Sequence, residues 1–106
     1  MTTPESVQAA AERLHAARPG ATIILFGSQA RGDARADSDV DFLVVQPEVT
    51  SRREEMTALS NLLRPLRLPA DMLVASRRTF EKWAATPPGT IYYTARTEGR
   101  VLYGEG

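Results

Sequence analysis

Residues 22–45 read TIILFGSQARGDARADSDVDFLVV, and this stretch decides how the rest of the chain is arranged. Thr22 to Phe26 is a short apolar run, partly β-branched and bounded by turn residues, which is the pattern of a buried strand. Gly27-Ser28 breaks it. Gln29 to Gly32 accommodates a turn of helix, and Asp33 to Ser38 is polar and loop-like. Asp39 to Val45 then predicts a second strand with two acids at its start.

Outward from this pair, the pattern alternates. Upstream, Thr3 is placed to cap a helix, Pro4 suits its first position, and Glu5 favours the positive end of its dipole. Val7, Ala11 and Leu14 give that helix an apolar face, and Pro19-Gly20 stops it. Downstream, Gln46-Pro47 ends the second strand. Ser51 and Glu54 form a capping-box pattern for a helix faced by Met56, Leu59 and Leu63, which Pro65 ends. Ala70 to Ala75 predicts a third strand with Asp71 near its beginning. Ser76 can cap a short helix that turns Phe80, Trp83 and Ala84 inward. Thr86-Pro87 suggests another helix start, with Ile91, Tyr92 and Ala95 as its apolar side, stopped near Gly99 and followed by a strand at Val101 to Tyr103. The order α-β-α-β-α-β-α-α-β predicts an α/β (α+β) chain, one sheet with helices packed on it, in a single small domain over residues 1–106.

Composition narrows the function classes. Hydrophobic residues make up 42% of the chain, enough for one modest core in a domain small enough to gain from a partner. Thirteen basic residues balance thirteen acidic ones, so no global positive field favours binding along a nucleic-acid backbone. The absence of cysteine removes disulfides, thiolate metal sites and cysteine nucleophiles, and fits a reducing compartment. With neither a signal-peptide pattern nor a membrane-length apolar run, the expected location is the cytoplasm.

Three features carry chemistry: Gly27-Ser28 after a buried strand, Asp39-Val40-Asp41 opening the next, and Asp71 opening a third. Residues two apart on a strand share a face, so Asp39 and Asp41 project side by side. Like charges that close repel, and a divalent cation removes the conflict. Mg²⁺ prefers carboxylate, water and phosphate oxygens. Asp71 can complete a cluster of three carboxylates, enough to hold two ions that clamp the entering and leaving oxygens of an in-line displacement. Gly27 permits close backbone approach to a phosphate, and the Ser28 hydroxyl can donate to one. Arg31 either adds charge near a triphosphate or braces the loop.

Two other readings of the acids fit less well. A solvated turn leaves Gly27-Ser28 and Asp71 as coincidences. A calcium loop with Asp37, Asp39, Asp41 and Glu48 as ligands needs glycine where Phe42 stands. Ser28 has no Ser-His-Asp logic around it, since His15 falls on an ordinary helix as a surface residue. Asp33, Arg35 and Asp37 read as a mutually paired, solvated loop. Trp83, Tyr92, Tyr93 and Tyr103 read as core or interface rather than base-stacking rings.

Gly27-Ser28-Gln29-Ala30-Arg31-Gly32 followed by Ser38-Asp39-Val40-Asp41-Phe42-Leu43-Val44 resembles the signature of the minimal nucleotidyltransferases, members of the DNA polymerase β-like superfamily. Asp71 matches that family's later strand aspartate, and Glu98 to Tyr103 is similar to the end of its short members. G-S-x-x-R-G with D-x-D at this offset fixes six positions, a chance agreement on the order of one in ten million per starting point.

The resemblance implies a polymerase β-like fold, a mixed sheet with helices packed on it. It implies transfer of AMP from ATP with two Mg²⁺ ions, with Asp39, Asp41 and Asp71 as metal and catalytic residues and Gly27, Ser28 and Arg31 on the nucleotide. It further implies the stand-alone type that pairs with a HEPN-domain toxin and silences it by modifying a tyrosine, acting as the antitoxin. Two alternatives stay open at this point: neutralisation of the partner by binding alone, and transfer to a small-molecule hydroxyl such as an aminoglycoside, against which the lack of an acceptor domain counts. Direct nucleic-acid binding is not expected, because no basic groove with interleaved aromatics is visible.

Overall fold

The computed structural model describes residues 4–26, 40–68, 70–84 and 99–104. In chain order these form α1 (Pro4–Ala17), β1 (Thr22–Phe26), β2 (Val40–Gln46), α2 (Arg52–Leu63), a 3₁₀ turn (Arg64–Leu66), β3 (Ala70–Ser76), α3 (Arg77–Ala84) and β4 (Arg100–Tyr103). The strands make one mixed sheet in the order β3-β2-β1-β4. β1 pairs antiparallel with both β2 and β4, whereas β2 and β3 run parallel. A parallel pair needs a long crossover, and α2 supplies it.

Side-chain alternation sorts the strands into two layers. Ile23, Leu25, Val40, Phe42, Val44, Met72 and Val74 face α1 and α2, where they meet Val7, Ala10, Leu14, Leu59 and Leu63. Ile24, Phe26, Leu43, Val45 and Ala75 face the other way and pack with Phe80 of α3. Every residue of β1 is therefore buried, because both of its faces are covered.

The helix signals at Ser51, Pro65 and Ser76 act as expected, while the cap expected at Thr3 lies outside the described residues. The Ser51 hydroxyl accepts from the Glu54 N–H at 3.3 Å, capping α2. Its helical bonding gives way at Leu63, and Pro65 sits in the 3₁₀ turn that follows. Ser76 belongs to β3, yet its Oγ accepts from the Thr79 N–H at 3.2 Å and starts α3 with no intervening loop. β2 extends through Gln46, one residue beyond the expected end, because Gln46 is buried against α2 and pairs with Ser76. Of the expected inward residues of α3, Phe80 is buried; the side chains of Trp83 and Ala84, the helix expected after Thr86 and the turn expected at Gln29 to Gly32 lie outside the described residues.

His15 is not the free surface residue expected. Its ring stacks on Tyr103 with centroids 4.3 Å apart and planes 8° from parallel, and its Nδ1 is buried without a hydrogen-bond partner among the described residues. The Tyr103 hydroxyl accepts from Gln8 Nε2 at 3.1 Å. The helix periodicity is unaffected; what was not visible is that β4 brings a ring up against α1. Gly104 follows at φ +91°, and a Cβ there would lie 2.8 Å from the Thr22 backbone, so the exit from β4 requires glycine.

Candidate functional site

β2 starts one residue after Asp39, and its second residue is Asp41. β3 starts at Ala70, and its second residue is Asp71. The two strands run parallel in a register that makes Asp41 and Asp71 direct Cα partners. On its other side Asp41 is the partner of Phe26, the residue before Gly27 in sequence. Three strands therefore align Phe26, Asp41 and Asp71 in one row across an end of the sheet.

Alternation fixes the direction of the two acids. Asp41 shares its parity with Leu43 and Val45, and Asp71 with Leu73 and Ala75, so both project from the α3 side of the sheet. Asp41 is half-buried and Asp71 exposed. On the opposite face their neighbours Val40, Phe42 and Met72 are buried in the larger core cluster. The acids thus stand on backbone anchored from behind by apolar packing, which is how a site acquires rigidity. Neighbouring strands lie about 4.8 Å apart, so two register-matched carboxylates on one face are close enough to share a ligand. Phe42 is fully buried within a strand, which removes the calcium-loop reading.

Asp39, Gly27, Ser28 and Arg31 lie outside the described residues, as do Asp33, Arg35 and Asp37. Among the described residues, no group of three His, Asp or Glu side chains gathers into a metal site; Asp41 and Asp71 are the two expected ligands that can be placed, and the structure brings them together.

The other end of β2 holds a second acidic arrangement that spacing did not reveal. Arg18 grips Glu55 of α2 with two bonds, Nε to Oε2 at 2.9 Å and an Nη to Oε1 at 2.7 Å, and Gln46 Nε2 donates to the same carboxylate. The Arg18 hydrogen bonds, helped by Gln46, hold the Glu55 carboxyl down at about 2, well below its usual value. The same contact raises Arg18. Arg18 reaches Glu55 from 37 positions away along the chain, so only folding unites them.

The sequence pattern of the nucleotidyltransferase domain family matches residues 7–87. Comparison with curated proteins finds no match. Among solved structures, the chain is similar to a candidate nucleotidyltransferase from Sulfolobus solfataricus, with a TM-score of 0.64 and 19% identity over 93% of this chain and 78% of that one. It is similar also to a toxin–antitoxin structure with AMP-PNP, with a TM-score of 0.61 and 20% identity over 92% of this chain and 73% of that one. A double aspartate-to-glutamate variant of the toxin–antitoxin MntA-HpeT gives a TM-score of 0.56 at 20% identity, over the same shares of each chain. At these identities the structural likeness speaks for the fold, a mixed sheet with helices of the polymerase β-like type. Since the family pattern covers most of the chain, including both register-matched aspartates, this protein belongs to the nucleotidyltransferase domain family.

Proposed function

We propose that this chain transfers AMP from ATP to a tyrosine hydroxyl of a HEPN-domain toxin and acts as that toxin's antitoxin. The observation that carries the reading is the pairing of Asp41 with Asp71 at one end of the sheet, on the same face. Support for the partner comes from the similarity to two toxin–antitoxin structures, one of them with AMP-PNP and the other altered at two aspartates.

The donor set is hard oxygen from carboxylates, with no cysteine in the chain to supply a thiolate, which suits Mg²⁺. Asp39, Asp41 and Asp71 would hold the ions, which when bound neutralise charge on the phosphates and the departing pyrophosphate. The chain's own groups do the rest. Gly27 and Ser28 would hold the triphosphate through backbone N–H groups and a hydroxyl, and Arg31 would add charge toward it. Asp71, exposed at the start of an edge strand, is open to an incoming acceptor and takes the proton from its hydroxyl. The acceptor oxygen bonds to the α-phosphorus, the bond from that phosphorus to the bridging oxygen breaks, and pyrophosphate leaves. Holding the acceptor in line supplies much of the acceleration.

Intact-mass analysis of the protein encoded in the neighbouring reading frame, after incubation with this chain, ATP and Mg²⁺, tests the proposal. A gain of one or more AMP units is expected, and none with an Asp39→Ala/Asp41→Ala variant. A folded, bound partner that gains no mass removes the reading, and a double variant that neutralises the toxin at equal dose transfers the role to binding alone.

A further inference from the structure

The neutral total charge hides a segregation. Residues 52–78 carry six arginines against three acids. The one ion pair formed among the described residues, Arg18 with Glu55, takes up none of those arginines. Five of them are exposed, Arg78 on α3 and Arg52, Arg53, Arg64 and Arg67 on α2 and the turn that lead into β3, the edge strand beginning at Asp71's end of the sheet. Arg52 is partly committed, since its Nε donates to the Val74 carbonyl at 3.0 Å and covers the middle of the strand. The first half of β3 is where Arg64 and Arg67 stand.

There the structure has a cavity of about 200 Å³, floored by Leu63, Leu68, Ala70 and Met72 and rimmed by Arg64 and Arg67. Asp71 lies between Ala70 and Met72 in the strand and projects from the opposite face, so the cavity and the proposed base share one stretch of edge. Arg67 adds an independent sign. At φ 52° and ψ 34° it is the one non-glycine residue with positive φ among the described residues. Glycine or asparagine would adopt that conformation at lower cost, so an arginine there is held against local preference.

We propose that this cavity is the docking pocket for an acidic, apolar-bearing segment of the protein whose hydroxyl is modified. The occupant is argued from complementarity: two guanidinium groups on the rim suit carboxylates, and the aliphatic floor suits a leucine-sized side chain. A nucleic acid fits less well, because no aromatic ring lines the cavity to stack a base. A segment seated there lies along the strand that carries Asp71, so docking and orientation of the acceptor are one event. This rests on the proposed transfer to a protein hydroxyl and adds the residues that select the acceptor.

Binding is tested independently of transfer. The ¹⁵N-labelled full chain is titrated with a blocked pentapeptide of alternating glutamate and leucine, with its glutamine isostere, and with hexauridylate RNA. The acidic peptide is expected to shift the amides of Arg64, Arg67, Leu68 and Met72 and to bind at least tenfold more tightly than the isostere. Arg64→Gln with Arg67→Gly should erase that margin, while Arg67→Gly alone should leave Tm unchanged or raise it, since the backbone strain is relieved. Equal binding of both peptides, shifts confined to another face, or tighter binding of the RNA at the same arginines overturns the proposal. In the transfer assay, the double variant should keep its rate on tyrosinamide and lose at least tenfold in kcat/KM on the toxin. Absence of transfer by the unaltered chain to either acceptor refutes the functional reading and leaves the peptide titration to judge the pocket; an undiminished rate on the toxin refutes the pocket alone.

Discussion

At the C-terminal end of β2, Gln46 and Arg18 close around the carboxylate of Glu55. At the N-terminal end, Asp41 lies directly opposite a second acid, Asp71. The first arrangement satisfies a charge with groups from within the chain and ties a helix to the sheet and to the loop after α1. The second sets two carboxylates from neighbouring strands on one face of the sheet. The two ends of β2 thus border a structural carboxylate, Glu55 of α2, and a candidate catalytic pair, Asp41 with Asp71 of β3, separated by the apolar residues Phe42 to Val45. The lesson is that an acid's role is read from what the fold puts beside it.

If the two ends divide chemistry from structure, Asp41→Asn should lower nucleotidyl transfer by about a thousandfold or more, the equivalent of several kcal/mol of charge stabilisation. Its urea midpoint should stay close to that of the unaltered chain. A variant that unfolds instead would show that Asp41 is structural, and the contrast would break. Phe42→Ala, one residue along and on the other face, should cost about 3–5 kcal/mol in denaturant unfolding, because it opens a cavity in a fully buried position. It should carry activity down with stability. Gly104→Ala presses a methyl against Thr22, the partner of Val45 near the Glu55 end, and should cost about 1–3 kcal/mol by the same measurement.

The smallest effect concerns Glu55 itself. Its folded value of about 2 lies below the ordinary 4.5, so its contribution is complete above about pH 4.5 and is lost as pH falls toward 2. Arg18 is 35% exposed and solvent screens the pair, so the contribution is on the order of 1 kcal/mol. Unfolding free energy measured from pH 6 to pH 2 should therefore fall less steeply in Glu55→Gln than in the unaltered chain. Equal slopes would mean that Arg18 and Gln46 do not stabilise the ionised Glu55 carboxylate.

Much of this molecule is legible from local pattern. Runs such as Thr22–Phe26 and Asp39–Val45 announce buried strands, and Ser51 with Glu54, and Ser76 alone, announce helix starts, because each depends on residues within a few positions of one another. Asp41 and Asp71 were recognisable as acids heading apolar runs for the same reason. His15 reads from the sequence as a surface residue because the ring it stacks on, Tyr103, is 88 positions away along the chain. Arg67 gave no signal, since an arginine after a 3₁₀ turn looks like any exposed basic residue until its backbone angles are known.

Local pattern is enough for the strands and helices of the described residues, for the apolar positions that make the core, and for Asp41 and Asp71 at the heads of β2 and β3. Only the tertiary structure decided that β2 and β3 run parallel in the register that sets Asp41 against Asp71, that Arg18 and Gln46 enclose Glu55, and that arginines from the turn after α2 rim the edge beside Asp71. The physical reason is range. Propensity, capping and alternation act over a few residues, whereas register and charge pairing arise when hydrophobic burial brings together segments dozens of residues apart.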